Sequence, residues 1–454
     1  MVNNHNGGIL MDKQVTYHFT GIKGSGMSAL ALILHGDGYK VQGSDFEEYM
    51  FTQKGLDAAG ISLFPFSKEN IHEGLVVIAG NAFGDEHEEL VEARKIGVPV
   101  IRYHAFLGEL ASHYTSVAVT GSHGKTSTTG LLSHVLSAVK STNFLIGEGT
   151  GFGCEGAEYF VFEACEYKRH FLSYKPNYAI ITNIDFDHPD YYSSIDDVTN
   201  AFQEFARQVR TGLIVCGDDT RLQHIQAEVP ITYYGLEEHN HVVAKNIVKD
   251  TVGSHFDVEV NGEYYAHLDI PTFGTHNILN ALAVTSFWYL NNLDVAELEK
   301  AIQTFGGVKR RFSEKKVGDV TIIDDYAHHP SEIRATLDAA RQKYVGKKII
   351  AVFQPHTFSR TIALKQEFAE ALSLADEVYV CDIFGSARET SGDVSAEDVV
   401  ALITDKKASV LKMENISPLL QYESDVVVFM GAGDVQKFEF AYATLLSETL
   451  PNVN

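Results

Sequence analysis

"SVAVTGSHGKTSTTG", residues 116–130, decides how the chain is read. Val117 to Thr120 is apolar and β-branched, as a buried strand is. Gly121-Ser122-His123-Gly124 then permits a tight turn. Lys125-Thr126-Ser127-Thr128-Thr129 opens a helix that continues through leucines at 131 and 132. Strand, glycine turn and helix in that order make a phosphate cradle. Backbone N–H groups converge at the helix N-terminus, the lysine reaches the outer phosphates, and the Thr126 hydroxyl can hold Mg²⁺. The spacing departs from the usual Gly-x4-Gly-Lys-Ser/Thr rule, which would put a glycine where Val119 stands. The flanking strand and helix argue for a variant of the loop and against a chance turn.

Upstream, "TYHFTGIKGSGMSALALILHGDGYKVQGSD" (residues 16–45) has the same grammar. A strand runs into glycines 21, 24 and 26, a helix of small and leucine residues follows, and a second strand ends at Ser44-Asp45. Such units build parallel sheets. The glycine turn offers amides to a diphosphate, and Asp45 stands where an acidic residue meets a ribose hydroxyl. The same glycines also suit a structural turn in any doubly wound domain. Downstream of the opening loop come further buried-strand candidates, "YFVFEA", "YAIITNI" and "GLIVCG". The alternating stretch "GSHFDVEVNGEYYAHLDI" should fold back at Asn261-Gly262 as a hairpin. A third block begins near Ser313 and again alternates strands and helices. The chain therefore reads as three α/β blocks.

Composition bounds the function. A 454-residue chain that is 45% hydrophobic and 21% charged can bury an ample core. Its apolar runs are too short to cross a bilayer, and its N-terminus has no secretory pattern. The first ten residues read as an extension ahead of Met11. Four scattered cysteines (Cys154, Cys165, Cys216, Cys381) fit free thiols in a reducing, cytoplasmic setting. The net charge of −24 excludes a general nucleic-acid surface. An anionic ligand must be held by local devices instead.

Several strand ends carry such devices. Glu163 in "VFEACEYKRHF" and His188 in "ITNIDFDHPDYY" each follow an apolar strand and are plausible metal ligands, although lone groups of this kind are more often surface or satisfied residues. Asn277 and Asn280 lie three apart at a helix start, suited to an adenine edge or to a cap. "GVKRRFSEK" places cations where an arginine can reach a transferring phosphate. "IIDDYAHHPSEI" and "FQPHTFSRT" bring acids, histidines and Arg360 to successive strand ends.

Taken in order, these stretches resemble the Mur ligase family from Tyr17 to about Gln436. That family writes its phosphate loop Gly-Thr/Ser-His-Gly-Lys-Thr, so the opening stretch is its ordinary form. The resemblance implies three α/β domains: a Rossmann-like UDP-MurNAc domain at 1–112, a central P-loop ATPase-type domain at 113–312, and a Rossmann-like C-terminal domain at 313–454. The N-terminal glycine pattern with "GSD" and Thr52 points to the alanine-adding branch. The implied reaction ligates L-alanine to the lactyl carboxylate of UDP-N-acetylmuramic acid, using ATP and Mg²⁺, through an acyl phosphate.

The resemblance also assigns roles. Lys125, Glu163, His188 and Arg311 are catalytic, and Thr126, Glu163 and His188 hold metal. Gly121, Ser122, His123, Gly124, Lys125, Thr126, Ser127, His276, Asn277, Asn280, Arg311 and Asp325 bind ATP. His18, Gly21, Gly24, Ser25, Gly26, Met27, Asp45 and Thr52 frame UDP-MurNAc. Tyr326, His328, His356 and Arg360 receive the amino acid. Many relatives carry a second arginine where this chain has Thr357. No lysine is expected to be carbamylated at the metal site. The partners expected are these small molecules alone, without nucleic acid or membrane, on a monomer or homodimer. Two other readings stand beside this one: a ligase that recycles murein tripeptide, and an NAD-dependent oxidoreductase, which leaves "GSHGKT" unexplained.

Overall fold

A computed structural model describes residues 11–385 and 389–449. The extension expected at residues 1–10 lies outside them. The chain forms α/β sheets distributed over two compact units. One unit takes the chain to Asn183, together with Thr199–His241 and Ala283–Ala301; the other comprises Ile184–Val198, Val242–Leu282 and Ile302 onward.

The first unit contains two sheets. In one, five parallel strands lie in the order Ser62–Pro65, Lys40–Asp45, Thr16–Thr20, Leu75–Ala79, Val100–Arg102. In the other, Thr142–Ile146, Tyr159–Glu163, Thr115–Thr120, Tyr178–Ile181, Gly212–Cys216 and Ile231–Gly235 run parallel. A short antiparallel strand, Thr150–Phe152, pairs with Thr142–Ile146. Both sheets present strand C-termini where glycine loops follow, which is where such sheets place ligands.

Glycines decide how the first helix seats. Ser25–Gly36 packs on the hairpin made by Thr142–Ile146 and Thr150–Phe152. A Cβ at Gly153 would run into the Ile33 carbonyl, one at Gly151 into that of Ala29, and one at Gly36 into Gly153. Backbone meets backbone, so no side chain can yield. Gly153→Ala should therefore cost about 1–3 kcal/mol of stability through overpacking. The check is a thermal melt; an unchanged midpoint would show that this contact is not closely packed.

In the second unit, Val242–Lys249, Ser254–Val260 and Glu263–Ile270 form an antiparallel meander. Asn261 and Gly262 both take positive φ, 54° and 82°, as a two-residue hairpin requires. The burial of Ser254–Val260 alternates strictly, so one face is covered and the other is not. The remaining sheet runs Ser313–Val317, Val320–Asp325, Val426–Met430, Ile349–Phe353, Glu377–Cys381, Lys407–Leu411, with only the first strand antiparallel. Its centre is buried on both faces. Val426, Val428 and Met430 join one apolar cluster, while Val427 and Phe429 join the opposite one. That is why the strand reads as continuously apolar. Among the described residues, no helix is long and apolar enough to cross a membrane.

Candidate active site

The opening loop joins strand Thr115–Thr120 to helix Lys125–Ser137. Gly121 (φ 137°) and Gly124 (φ 80°) occupy backbone space that side chains resist. A Cβ at Gly121 would also collide with the Thr182 hydroxyl. The loop is pinned from the neighbouring strand end. The His123 amide donates to Asn183 Oδ1 (2.9 Å), Asn183 Nδ2 donates to the His123 carbonyl (3.1 Å), and the Ser122 amide donates to the Asn183 carbonyl (3.0 Å). Among the described residues, no side chain caps the helix at Gly124. Its first-turn amides, including those of Thr126 and half-buried Ser127, line an N-terminus suited to an anion.

Lys125 lies beneath this turn. Its ammonium donates to the carbonyls of Gly121 (2.6 Å) and Ser122 (3.0 Å), and it pairs with Glu166 at 3.0 Å. Burial works against the charge, but Glu166 first and Glu163 further out outweigh it, so the ammonium is held above lysine's ordinary range. One helical residue on, Thr126 Oγ1 donates to Glu163 Oε2 at 3.0 Å, and the Gly147 amide donates to the same oxygen at 2.9 Å. The hydroxyl and carboxylate oxygens thus face each other beside the cradle.

At the N-terminal glycine loop, Gly21 has φ 84°, and Gly24, Ser25 and Gly26 are half-buried. Asp45 turns its carboxylate onto this loop: Oδ2 accepts the Lys23 amide (2.7 Å) and Oδ1 the Phe46 amide (2.8 Å). Thr52 Oγ1 donates to the Lys23 carbonyl at 2.5 Å, and Met27 is buried. Tyr103 packs its hydroxyl against Gly26, within electrostatic reach of Glu163. The glycine loop and Glu163 are therefore neighbours in one unit.

His18 is fully buried. Both faces of its strand are covered, and its ring meets Glu89 at 3.3 Å. Glu89 also accepts from Thr20 (2.8 Å), Ser44 (2.6 Å) and Asn70 (2.8 Å). Burial opposes its charge, yet the hydrogen bonds from His18, Ser44 and Asn70 win and hold the carboxyl down to about 2. Ser44 in turn offers its carbonyl to the amides of Gly21 (2.9 Å) and Ile22 (3.1 Å). His18 supports the loop from below.

The second unit holds the remaining candidates. At the start of helix Thr275–Leu290, Asn277 donates to the Phe273 carbonyl (2.8 Å), and Asn280 donates to Asn277 Oδ1 (3.2 Å). Burial lowers His276 to about 4, so its ring is neutral, and its Nδ1 has no hydrogen-bond partner among the described residues. Arg310 and Arg311 lie over the Tyr326 ring at 4.9 and 5.2 Å. Asp325 accepts the amides of Phe312 and Ala327, both at 2.8 Å, while burial raises it to about 6 against the pull of Arg311. His328 contacts Glu332 at 3.1 Å, and its ring meets His356 edge-on at 6.2 Å. Burial takes His356 down to about 4, with His328 and Arg360 adding to the effect. Its neutral Nδ1 can then accept from Arg360 Nη1 at 3.2 Å. His188 has φ 56°, and its amide donates to Asp187 Oδ1 at 2.7 Å.

The metal candidates thus divide, with Thr126 and Glu163 in one unit and His188 in the other. Glu166, Asn183, Asp187 and Glu89 were not singled out from the sequence. For Glu166, Asn183 and Asp187 only their nearness to strand ends could have flagged them, and Glu89, in the helix Glu88–Lys95, carried no such signal.

Three family models match consecutive stretches: "Mur ligase family, catalytic domain" at residues 16–115, "Mur ligase middle domain" at 119–287, and "Mur ligase, glutamate ligase domain" at 310–433. A UDP-N-acetylmuramate–L-alanine ligase of Levilactobacillus brevis is 58% identical over 437 residues, covering 96% of this chain and 98% of its own length. The protein of the same name from Ligilactobacillus salivarius is 56% identical over equal shares. Among solved structures, the UDP-N-acetylmuramate-alanine ligase MurC of Thermotoga maritima superposes with a TM-score of 0.78 at 30% identity, covering 96% of this chain and all of that one.

Proposed function

From the premise that the chain belongs to the Mur ligase family, we propose that it ligates L-alanine to the lactyl carboxylate of UDP-N-acetylmuramic acid at the expense of ATP, in peptidoglycan precursor synthesis. The observation that carries this is near-complete alignment with alanine ligases at 58% and 56% identity. The tripeptide-recycling and hydride-transfer readings gain no such support. We read the domains as 1–112, 113–312 and 313–454, which the three matched stretches support.

The chemistry asks two anions to meet. The lactyl carboxylate oxygen bonds to the γ-phosphorus, and the bond from that phosphorus to the bridging oxygen of ADP breaks. The alanine amine then attacks the acyl carbon, phosphate leaves, and the amine gives up a proton. Lys125, fixed beneath the cradle and held protonated, is placed to meet the β- and γ-phosphates. The first-turn amides of residues 124–127 receive phosphate oxygens. Arg311, Asp325, His276, Asn277 and Asn280 serve the nucleotide, and His18, Gly21, Gly24, Ser25, Gly26 and Met27 with Asp45 and Thr52 serve the UDP-sugar. Tyr326, His328, His356 and Arg360 serve the amino acid.

The facing oxygens of Thr126 and Glu163 suit a hard cation, and these two with His188 would hold Mg²⁺. The ion would supply neutralising charge against the phosphates. A phosphate-release assay with ATP, UDP-MurNAc and a panel of amino acids tests the proposal. Release should depend on UDP-MurNAc and be fastest with L-alanine. Faster release with a preformed tripeptide, or release indifferent to UDP-MurNAc, would overturn it.

A further inference from the structure

Asp187 is a buried carboxylate that the reaction above does not use. It lies next to His188 in sequence and against Arg360 in space, with 5% and 4% of the Asp187 and Arg360 surfaces exposed. One oxygen does most of the work. Asp187 Oδ1 accepts Arg360 Nε at 3.0 Å, Arg360 Nη2 at 2.7 Å and the His188 amide at 2.7 Å. Nη1 points the other way, to His356 Nδ1 at 3.2 Å and the His356 carbonyl at 3.4 Å. The guanidinium is thereby gripped along its Nε–Nη2 side and steadied at Nη1. A long, flexible side chain is reduced to one plane and one rotation.

We propose that Asp187 is a positioning residue for the amino-acid step: it fixes Arg360 so that the Nη1–Nη2 edge receives the substrate carboxylate. The inference rests on the ligase function proposed above and adds to it a residue that governs the amino-acid site. Two physical points carry it. A bidentate guanidinium–carboxylate pair is directional, so the amine is aimed only if the fork is held. A fixed negative oxygen on the Nε side also repels a second carboxylate there, which leaves one docking edge. The same oxygen stabilises the left-handed turn at His188 (φ 56°) by accepting its amide. One carboxylate thus serves the amino-acid arginine and the proposed metal loop together.

Asp187→Asn separates these duties, because asparagine still accepts the His188 amide but loses the charge that grips the guanidinium. In the phosphate-release assay the alanine KM should rise about 10- to 100-fold, while the ATP KM moves less than about twofold. On an Arg360→Lys background the same change should add little, since the two residues act as one unit. An unchanged alanine KM overturns the proposal, as does a joint rise of the alanine and ATP constants, the mark of a merely structural pair. A fall in the alanine KM overturns it too, showing that Asp187 competes with the substrate. If Asp187→Asn melts below the assay temperature, Asp187→Glu takes its place, since it keeps the charge but displaces it by one methylene. The alanine KM should again rise alone, and an unchanged value counts against the proposal. Wild-type turnover keeps the two readings apart. No alanine-dependent release by the wild type defeats the ligase function, whereas an active wild type with an indifferent Asp187→Asn defeats only the positioning role.

Discussion

Lys125→Ala should lower turnover by about 10³-fold or more, the scale on which a single cation facing a transferring phosphoryl group acts. The ammonium is held within 3.0 Å of the Gly121 and Ser122 carbonyls, so it is already where the loop closes around a phosphate. Alanine leaves that place without charge. The same substitution should also lower the melting temperature, because Glu166, almost wholly enclosed, loses its partner at 3.0 Å. Breaking one side of a buried pair costs about 3–5 kcal/mol. The double variant Lys125→Ala, Glu166→Gln separates the two effects. It should recover much of the melting temperature and none of the turnover. Ligation near the wild-type rate in the double variant would sink the assignment of this loop to ATP.

Legibility in the sequence followed the distance over which an interaction acts. The phosphate loop was readable because its causes are local: a β-branched strand, two glycines at positive φ and a helix start lie within ten residues. The hairpin at Asn261-Gly262 was readable for the same reason. Glu166, Asn183 and Asp187 were not, since each matters through a partner supplied by another strand end or helix: Lys125, the 122–123 amides and Arg360 respectively. The surroundings of His18 were not legible either, because alternation along a strand gives the face of a residue but not what covers that face. Here the cover is Glu89, 71 residues later. The three blocks were legible as α/β units. Their distribution over two compact units was not, because the seat of helix Ser25–Gly36 depends on small residues at positions 151 and 153 that no local pattern connects to it.

Glu163→Gln and Glu163→Ala together isolate the charge proposed to hold Mg²⁺. Glu163 Oε2 accepts from Thr126 Oγ1 at 3.0 Å and from the Gly147 amide at 2.9 Å. Glutamine can accept both through its remaining oxygen, so the loop at 147 keeps its place and the melting temperature should hardly change. What glutamine lacks is the negative charge that a hard divalent cation requires from so small a donor set. Both variants should therefore raise the Mg²⁺ concentration for half-maximal turnover by about 10-fold or more and lower the maximal rate by about 10²-fold. Alanine should add a stability loss of about 1–3 kcal/mol, because the Thr126 hydroxyl and the Gly147 amide lose their acceptor. The measurement is a Mg²⁺ titration at fixed ATP, read beside a thermal melt of each variant. If the glutamine variant titrated like the wild type while the alanine variant merely melted earlier, Glu163 would be a structural acceptor for residues 126 and 147, and the cation would have to be bound elsewhere.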